Sequence, residues 1–573
     1  MRMTHQENKG KRAAGLSRRQ VLSGGALLGL GAAATGLFGC STPTPASDSG
    51  NDAAVTASAE TQPVVAWDYE TDVVVVGSGT GMAGAVAAAS EGASVIVVEK
   101  RPMNGGSLAF SGGYAWTVNN KFSREHGDSE ELGRTYLKKM QRGEGDDELS
   151  EAFLQNGNAM LEMLETYCNI EWQPKEALDY HPEWEGGMKG FRGCDVKARD
   201  GEDSSSSAGG GRLASRLLEG AEALGVEMMY STAAKELVTQ NNADGVREVV
   251  GIVADQNGKT VRIKANKGVI LAAGGFEWDD ELKANFIGGP AEFRRSVPEN
   301  TGDALRMCMR VGADLRMMNA CWGNVVYRED SQRLNDQGTP VGTALLMDRS
   351  KPFTIMVDNS GKRFCNEAAD YDTLWWAFLN RETWGDTNLL GTGAWLIADD
   401  KMVQKWGLCT STPYGTPGNV PEDAVIGESL EDLAAKINIP ADQLVATVER
   451  FNEYADAGYD PEFHRGESAF YQGVDMDKIG TPEMTLGRLD TAPYYAIEVA
   501  TACTGTHGGP RVNGNAQVID VDGNPIPRLY AGGNTAGVGA PGMAYGGPGG
   551  TIGPGMVFNM LGGKHAASLD PVA

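Results

Sequence analysis

No two of the eight cysteines stand in a CxxC or CxxCH spacing, so neither a c-type haem nor a legible iron–sulfur centre is encoded. HExxH, P-loop and EF-hand patterns are missing too. Basic residues are scarce: 50 Lys and Arg stand against 76 Asp and Glu, a formal charge of −26. The first 39 residues hold six Lys/Arg and one Glu, so beyond them 44 basic residues face 75 acidic ones, a net −31. Such a surface excludes nucleic acid as a partner and keeps the chain soluble outside the cytoplasm. One apolar stretch stands out, Val21 to Phe38, and it is short, glycine-rich and flanked as a signal is rather than as a membrane span.

That stretch follows Ser17-Arg18-Arg19-Gln20-Val21-Leu22, a twin-arginine signal, and ends in Leu37-Phe38-Gly39-Cys40, which reads as a lipobox with Cys40 acylated after cleavage. Residues 1–40 are therefore expected to be targeting sequence. Residues 41–66, rich in Ser, Thr, Pro and Ala, are expected to be a disordered tether. The expected localisation is extracytoplasmic, at a membrane surface through lipidated Cys40.

What is present begins at Asp72. In DVVVVGSGTGMAGAVAAASEGASVIVVEK, Val73–Val76 form an apolar run suited to a parallel strand buried on both faces. Gly77 and Gly79 permit a tight turn that can approach a pyrophosphate, Ala85–Ala89 keep the next helix thin, and Ile96–Val98 make a second strand. Glu99, 22 residues after Gly77, stands where a carboxylate accepts ribose hydroxyls. The third glycine of the fingerprint is replaced by Met82, with Gly81 and Gly84 on either side. The stretch predicts a bound adenine dinucleotide and redox chemistry. Without a haem or cluster, electrons must come from a separate membrane or cytochrome donor.

The chain is expected to return to this nucleotide fold at Gly268–Phe276 and at Pro527–Asn534, each a strand running into paired glycines. Between them lies a different region, with Trp322, Trp375, Trp376, Trp384, Trp395 and Trp406, read mainly as core. Leu444, Val448 and Phe451 recur at helical spacing in Ala441–Ala457. The expected architecture is α/β: a Rossmann-like nucleotide-binding domain over 67–280 and 483–573, with an inserted α+β cap over 281–482. Near the C-terminus, Tyr545-Gly-Gly-Pro-Gly-Gly-Thr-Ile-Gly-Pro opens an apolar helix at Met556–Leu561, and free N–H groups there suit an oxyanion or a reduced flavin's negative edge.

With these motifs in order, together with Gly105-Gly106-Ser107, Ser111-Gly112-Gly113 and Asn300-Thr301-Gly302-Asp303, the chain from about Asp68 onward resembles the flavoprotein family of fumarate reductases, urocanate reductases and 3-ketosteroid dehydrogenases. The resemblance implies FAD, taken as non-covalent. It implies cofactor contacts at Gly77, Gly79, Gly81, Glu99, Lys100, Gly105, Gly106, Ser107, Gly112, Gly113, Ala233, Ala273, Gly274, Gly275, Asn300, Thr301, Gly302, Asp303, Gly533, Asn534, Gly550, Thr551 and Ile552.

The branch rests on a few positions. After Gly361-Lys362-Arg363-Phe364-Cys365-Asn366-Glu367, fumarate reductases place a proton-delivering arginine where this chain has Tyr371. Their carboxylate-binding arginine before the last glycines is Tyr545 here. Tyrosines at both positions resemble the ketosteroid dehydrogenases, as do Gly505–Gly509 and Ala446–Asn452. Two missing guanidiniums leave little to neutralise a dicarboxylate, whereas phenols suit a neutral carbonyl. The implied roles are Tyr545 and the Gly549 N–H on the carbonyl oxygen and Tyr371 as proton exchanger. His507, Arg511 and Tyr136 are substrate-contact candidates, and Tyr114 is a possible support for Tyr371. The expected substrate is a small molecule with an activated C=C. Two alternatives remain: an unsaturated-carboxylate reductase that draws on Arg511 or Arg328, and a non-catalytic flavin electron carrier. No metal is expected.

Overall fold

In the computed structural model the described residues are 66–205, 208–287, 291–336, 338–340, 342–379, 394–409, 416–468, 481–537 and 542–572. The expected signal, Cys40, the tether up to residue 65, and Trp384 lie outside them.

The valine run forms the strand Tyr69–Val76, in which Val73, Val74 and Val75 have no exposed surface. It is flanked on both sides by parallel partners, Val95–Val98 and Lys259–Leu271, and this is why the run needs no polar alternation. Glu227–Met229 extends the sheet on one side; Pro525–Ala531, also parallel, and the antiparallel Gln517–Ile519 extend it on the other. A hairpin of Thr232–Asn241 and Arg247–Gln256 joins along Lys259–Leu271. The FAD-type α/β layer is thus assembled from the two ends of the described sequence.

Helix Gly81–Ser90 follows the first strand and packs against the C-terminal helix Ile552–Ser568. A Cβ on Gly84 would lie 2.7 Å from the Asn559 carbonyl oxygen, and one on Gly563 would lie 2.3 Å from the Gly84 oxygen. Gly84, not the residue at the fingerprint's third position, makes this close approach. Met82 is fully buried instead, which stabilises the layer by about 1.5–3 kcal/mol.

The second region is built on the long strand Tyr494–Thr506. It pairs antiparallel with Cys321–Tyr327, Ala394–Asp399 and Val425–Gly427, and parallel with Phe293–Arg294; Thr354–Asp358 adds beyond Ala394–Asp399. Helix Ala441–Ala457 lays Leu444, Val448 and Phe451 on this sheet against Ile355, Val357 and Ile397, and ends at Gly458 in the left-handed region. The return expected at residue 483 therefore comes later. Tyr494–Thr506 is the spine of the cap sheet, and Gln517–Ile519 is the first strand to rejoin the nucleotide sheet. An apolar run followed by glycines looks the same in either sheet; only the pairing separates them.

Beneath the cap sheet lies a buried ionic cluster. Arg363 donates to both oxygens of Glu367 and to Asp460, all at 2.8 Å, and Arg465 meets Glu367 at 3.1 Å. Burial pushes the Glu367 carboxyl up, but the two guanidiniums outweigh it and hold it at about 2.

Candidate active site

The turn after each parallel strand opens into one cavity of about 470 Å3. At one end its floor is backbone. Gly77 has φ +105°, and a Cβ there would sit 2.3 Å from the Ala272 carbonyl oxygen, so only glycine fits. Gly79, Gly106, Gly112, Gly113, Ala273, Gly274 and Ala233 line the same space, with Glu99, Lys100, Ser107, Asn300 and Asp303. The Glu99 carboxylate accepts from the Ser78 N–H at 3.0 Å, the Ser78 hydroxyl at 2.6 Å and the Arg101 N–H at 2.8 Å, which fixes its orientation in the wall. Lys100 donates to Thr301 Oγ1 at 2.8 Å and Asp303 Oδ2 at 2.9 Å. Asn300 bridges Ser107 Oγ at 3.0 Å and Glu277 Oε1 at 2.7 Å, tying the cap-side loop to the nucleotide layer.

At the other end three phenols converge. Tyr371 opens the helix Tyr371–Leu379 from the cap, Tyr545 precedes the last glycines, and Tyr180 comes from the loop between Trp172–Pro174 and Gly193–Val196. Tyr180 and Tyr371 hydroxyls are 3.5 Å apart. Ring centroids stand 5.3 Å apart for Tyr180–Tyr545, 5.5 Å for Tyr180–Tyr371 and 5.3 Å for Tyr371–Tyr545. Burial raises the pKa of all three, and the neighbouring phenols raise that of Tyr371 further. They are therefore hydrogen-bond donors throughout the range in which proteins work.

The Tyr545 hydroxyl is 3.4 Å from Thr551 Oγ1. Gly549 has φ +90° and would place a Cβ 2.2 Å from the Tyr114 carbonyl oxygen. Among the described residues nothing accepts from its N–H, while its carbonyl accepts from Ile552 and Gly553 at the helix start. A free N–H beside the Tyr545 phenol at a helix N-terminus is an arrangement suited to an oxygen that gains negative charge.

Tyr180 is held from behind. Its N–H donates to the Gly546 carbonyl at 3.0 Å, and the adjacent Asp179 is gripped by Trp116 Nε1 at 2.8 Å and Arg192 at 2.8 Å, Arg192 also pairing with Asp128 at 2.6 Å. Tyr136, expected to touch substrate, is fully buried, and its hydroxyl donates to that same Gly546 carbonyl at 2.7 Å. It braces the Tyr545 loop rather than facing the cavity.

Other expected residues also fall off the lining. Arg511 is half-exposed and faces Asp314 at 3.6 Å. Arg328 is engaged by Glu292 at 2.6 Å and Glu498 at 2.8 Å. His507 is buried behind the indole of Trp322, ring centroids 3.3 Å apart, and burial lowers its pKa to about 3, so it is neutral. Gly81, the first residue of helix Gly81–Ser90, and Gly105, Gly275, Thr301, Gly302 and Gly550 are not among the lining residues; the Gly105 N–H donates to Ser78 Oγ at 2.9 Å. Gly533, Asn534, Thr551 and Ile552 line the cavity, as does Tyr114. Trp322, read as core, is a wall residue edge-on to Tyr545 at 5.0 Å. Tyr180, Trp322 and Arg295 are wall residues that sequence reasoning did not pick out.

The cavity fits FAD. A glycine floor has no room for side chains, the N-terminus of the ten-residue helix Gly81–Ser90 stands at the turn, and an oriented carboxylate lies at the strand end. Among the described residues no group of His, Cys, Asp and Glu is placed to hold a metal ion.

Comparison with known proteins agrees. The sequence profile of the FAD binding domain family matches residues 72–551. The chain is 34% identical over 545 residues to 4-oxocyclohexanecarboxylate 2-dehydrogenase of Sinomonas cyclohexanicum, covering 87% of this chain and 92% of the relative. It is 29% identical to the digoxin reductase of Eggerthella lenta, covering 97% of this chain and 98% of the relative. Among solved structures it is similar to the 3-ketosteroid delta1-dehydrogenase of Sterolibacterium denitrificans in complex with 1,4-androstadiene-3,17-dione, with a TM-score of 0.77, 28% identity, and coverage of 87% of this chain and 99% of that one.

Proposed function

The chain belongs to the FAD binding domain family, and from that premise we propose that it is an FAD-dependent oxidoreductase acting on a carbon–carbon bond next to a carbonyl. The observation that carries this reading is the convergence of Tyr371, Tyr545 and Tyr180 on one wall of the cofactor cavity, beside the free Gly549 N–H. Two of the relatives are named for substrates with a ring ketone, the 4-oxocyclohexanecarboxylate 2-dehydrogenase and the 3-ketosteroid delta1-dehydrogenase, and the third is named a digoxin reductase.

The residues divide the work. The Tyr545 hydroxyl and the Gly549 N–H hold the carbonyl oxygen and stabilise enolate charge as it develops. The Tyr371 hydroxyl exchanges the proton at the α carbon, and the contact with Tyr180 shares the charge that this leaves on Tyr371. When bound, non-covalent FAD supplies hydride transfer to or from the β carbon. In reduction the Tyr371 hydroxyl gives its proton to the α carbon and is left as a phenolate to which the Tyr180 hydroxyl donates; dehydrogenation would run from that phenolate, which takes the α proton back.

The direction we favour is reduction. Support comes from the twin-arginine and lipobox pattern of residues 1–40, which suits an extracytoplasmic enzyme anchored through Cys40 and fed by a separate membrane or cytochrome donor. An unsaturated carboxylate lacking a ketone suits the site less well, because Arg511 and Arg328 both face acidic partners elsewhere. A pure electron carrier has no use for a phenol cluster beside a free N–H.

The test uses the purified holoprotein under anaerobic conditions with reduced viologen. The panel contains 1-ene and 4-ene 3-ketosteroids, an unsaturated lactone, a cinnamate, urocanate and fumarate. Viologen oxidation with the enones or the lactone is the expected result. Oxidation with the ketone-free acids alone overturns the carbonyl-directed reading, and the absence of any oxidation leaves the carrier.

A further inference from the structure

Two buried polar atoms face each other behind the tyrosine end, and neither has a hydrogen-bond partner among the described residues. They are His181 Nε2 and Asp370 Oδ2, 3.6 Å apart. His181 follows Tyr180 in its loop, and Asp370 precedes Tyr371 at the start of the cap helix. The pair therefore spans the two segments whose phenol hydroxyls stand 3.5 Å apart, the long limit of a hydrogen bond.

Both partners are held in place. Asp370 Oδ1 accepts from the N–H groups of Asp372 and Thr373 at 3.1 and 2.9 Å, which caps the helix and leaves Oδ2 to face the loop. The His181 ring stacks on Trp184 at 3.8 Å with the planes 8° apart, and its N–H donates to the Tyr136 hydroxyl at 3.3 Å. Arg142 stands over the same indole at 5.7 Å and donates to Thr373 Oγ1 at 3.5 Å. The other ring nitrogen, Nδ1, faces exposed Glu183 at 3.7 Å, and Glu183 accepts from Ser468 of the cap at 2.8 Å.

The charged and titratable groups around the imidazole, among the described residues, are thus Asp370, Glu183, Arg142 and Tyr136, with Arg349 acting on Asp370 through space. A neutral imidazole has one N–H and can donate to one of the two carboxylates. An imidazolium has two and can donate to both. Closing those gaps to hydrogen-bond length draws the Tyr180 loop and the Tyr371 helix together.

We propose that His181 is a positioning residue for the proton step: as an imidazolium between Asp370 and Glu183 it holds the Tyr180 loop against the Tyr371 helix, so that the Tyr180 hydroxyl donates to the phenolate left on Tyr371. This rests on the carbonyl-directed reading above. The effect is bounded by the contact it serves, about five- to tenfold in rate.

The experiment mixes the reduced holoenzyme anaerobically with an enone from the panel above and follows flavin reoxidation between about pH 5 and 8, the range in which histidine changes charge. The wild-type rate falls about five- to tenfold as pH rises. His181→Gln is slow throughout and shows no inflection, while it keeps its FAD and its half-saturating enone concentration. Asp370→Asn, which keeps a capping side chain and removes the charge, behaves alike. Tyr180→Phe also lacks the inflection, and adding His181→Gln to it slows the reaction no further. A wild-type rate that is flat over this range overturns the proposal, whether or not any variant folds. A His181→Gln profile parallel to the wild type overturns it, as does a further slowing in the Tyr180→Phe background. If no enone reoxidises the wild-type flavin, the carbonyl-directed reading has failed and the proposal with it; if enones do so but the profiles run parallel, only the role of His181 has.

Discussion

The two ends of the cavity are built by different means. The phosphate end is made of backbone: Gly77, Gly79 and Gly274 fold turns whose shape is dictated within a few residues, and the wall is the chain itself. The tyrosine end is made of side chains from residues 180, 371 and 545, which meet only because two sheets, a helix start and a buried salt bridge agree. A site of the first kind tolerates almost no substitution but needs little support. A site of the second kind accepts substitution at each phenol without losing its shape, yet depends on distant braces such as Arg192 and the Gly546 carbonyl.

The largest effect expected from this difference is at Gly77. Gly77→Ala drives a Cβ into the Ala272 carbonyl, and FAD copurifying with the protein should fall to background; retained flavin would mean that this end is more plastic than described. Tyr371→Phe, in contrast, should keep its flavin and lose roughly 10²–10⁴-fold in turnover, the usual range for a proton-transfer group. Tyr545→Phe removes one of two donors to the carbonyl oxygen and should cost about 10²–10³-fold. Tyr180→Phe breaks a single hydroxyl contact and should cost about five- to tenfold, a hydrogen bond's worth. If all three Phe variants lost flavin as Gly77→Ala does, the two ends would be one cooperative unit and the contrast would collapse.

The smallest effect concerns acid stability of the cap alone. The Glu367 carboxyl titrates at about 2 in the folded protein against an ordinary 4.5. A depressed folded value means stability that is complete above the ordinary value and lost as pH falls toward 2. Glu367→Gln should therefore flatten the pH dependence of unfolding between those limits, followed by cap tryptophan fluorescence, while the wild type steepens there.

Legibility in the sequence follows the same division. The glycine turn, the valine strand, Glu99 and the helix Ala441–Ala457 could be read because each signal is local and periodic. Tyr371 and Tyr545 could be read only through resemblance. Tyr180 could not: nothing in Glu176-Ala177-Leu178-Asp179-Tyr180 marks it, since its direction is set by Arg192 and Gly546. Tyr136 misled for the converse reason, an aromatic at a suggestive position whose hydroxyl points to a backbone carbonyl. Arg511 and Arg328 are anion-binding candidates by sequence, but in the fold each faces acidic neighbours.

The nucleotide layer joins strands from residues 69–271 to strands and a helix from residues 517–568. Read as a production schedule, this means that the shelf for the cofactor is among the last things finished. During vectorial synthesis the first strand has both its partners by residue 271, but the alanine helix beside it waits while more than four hundred residues follow for the C-terminal helix that covers its apolar face. A chain halted short of residue 517 lacks Gly533, Asn534, Thr551 and Ile552, and its cofactor wall is incomplete.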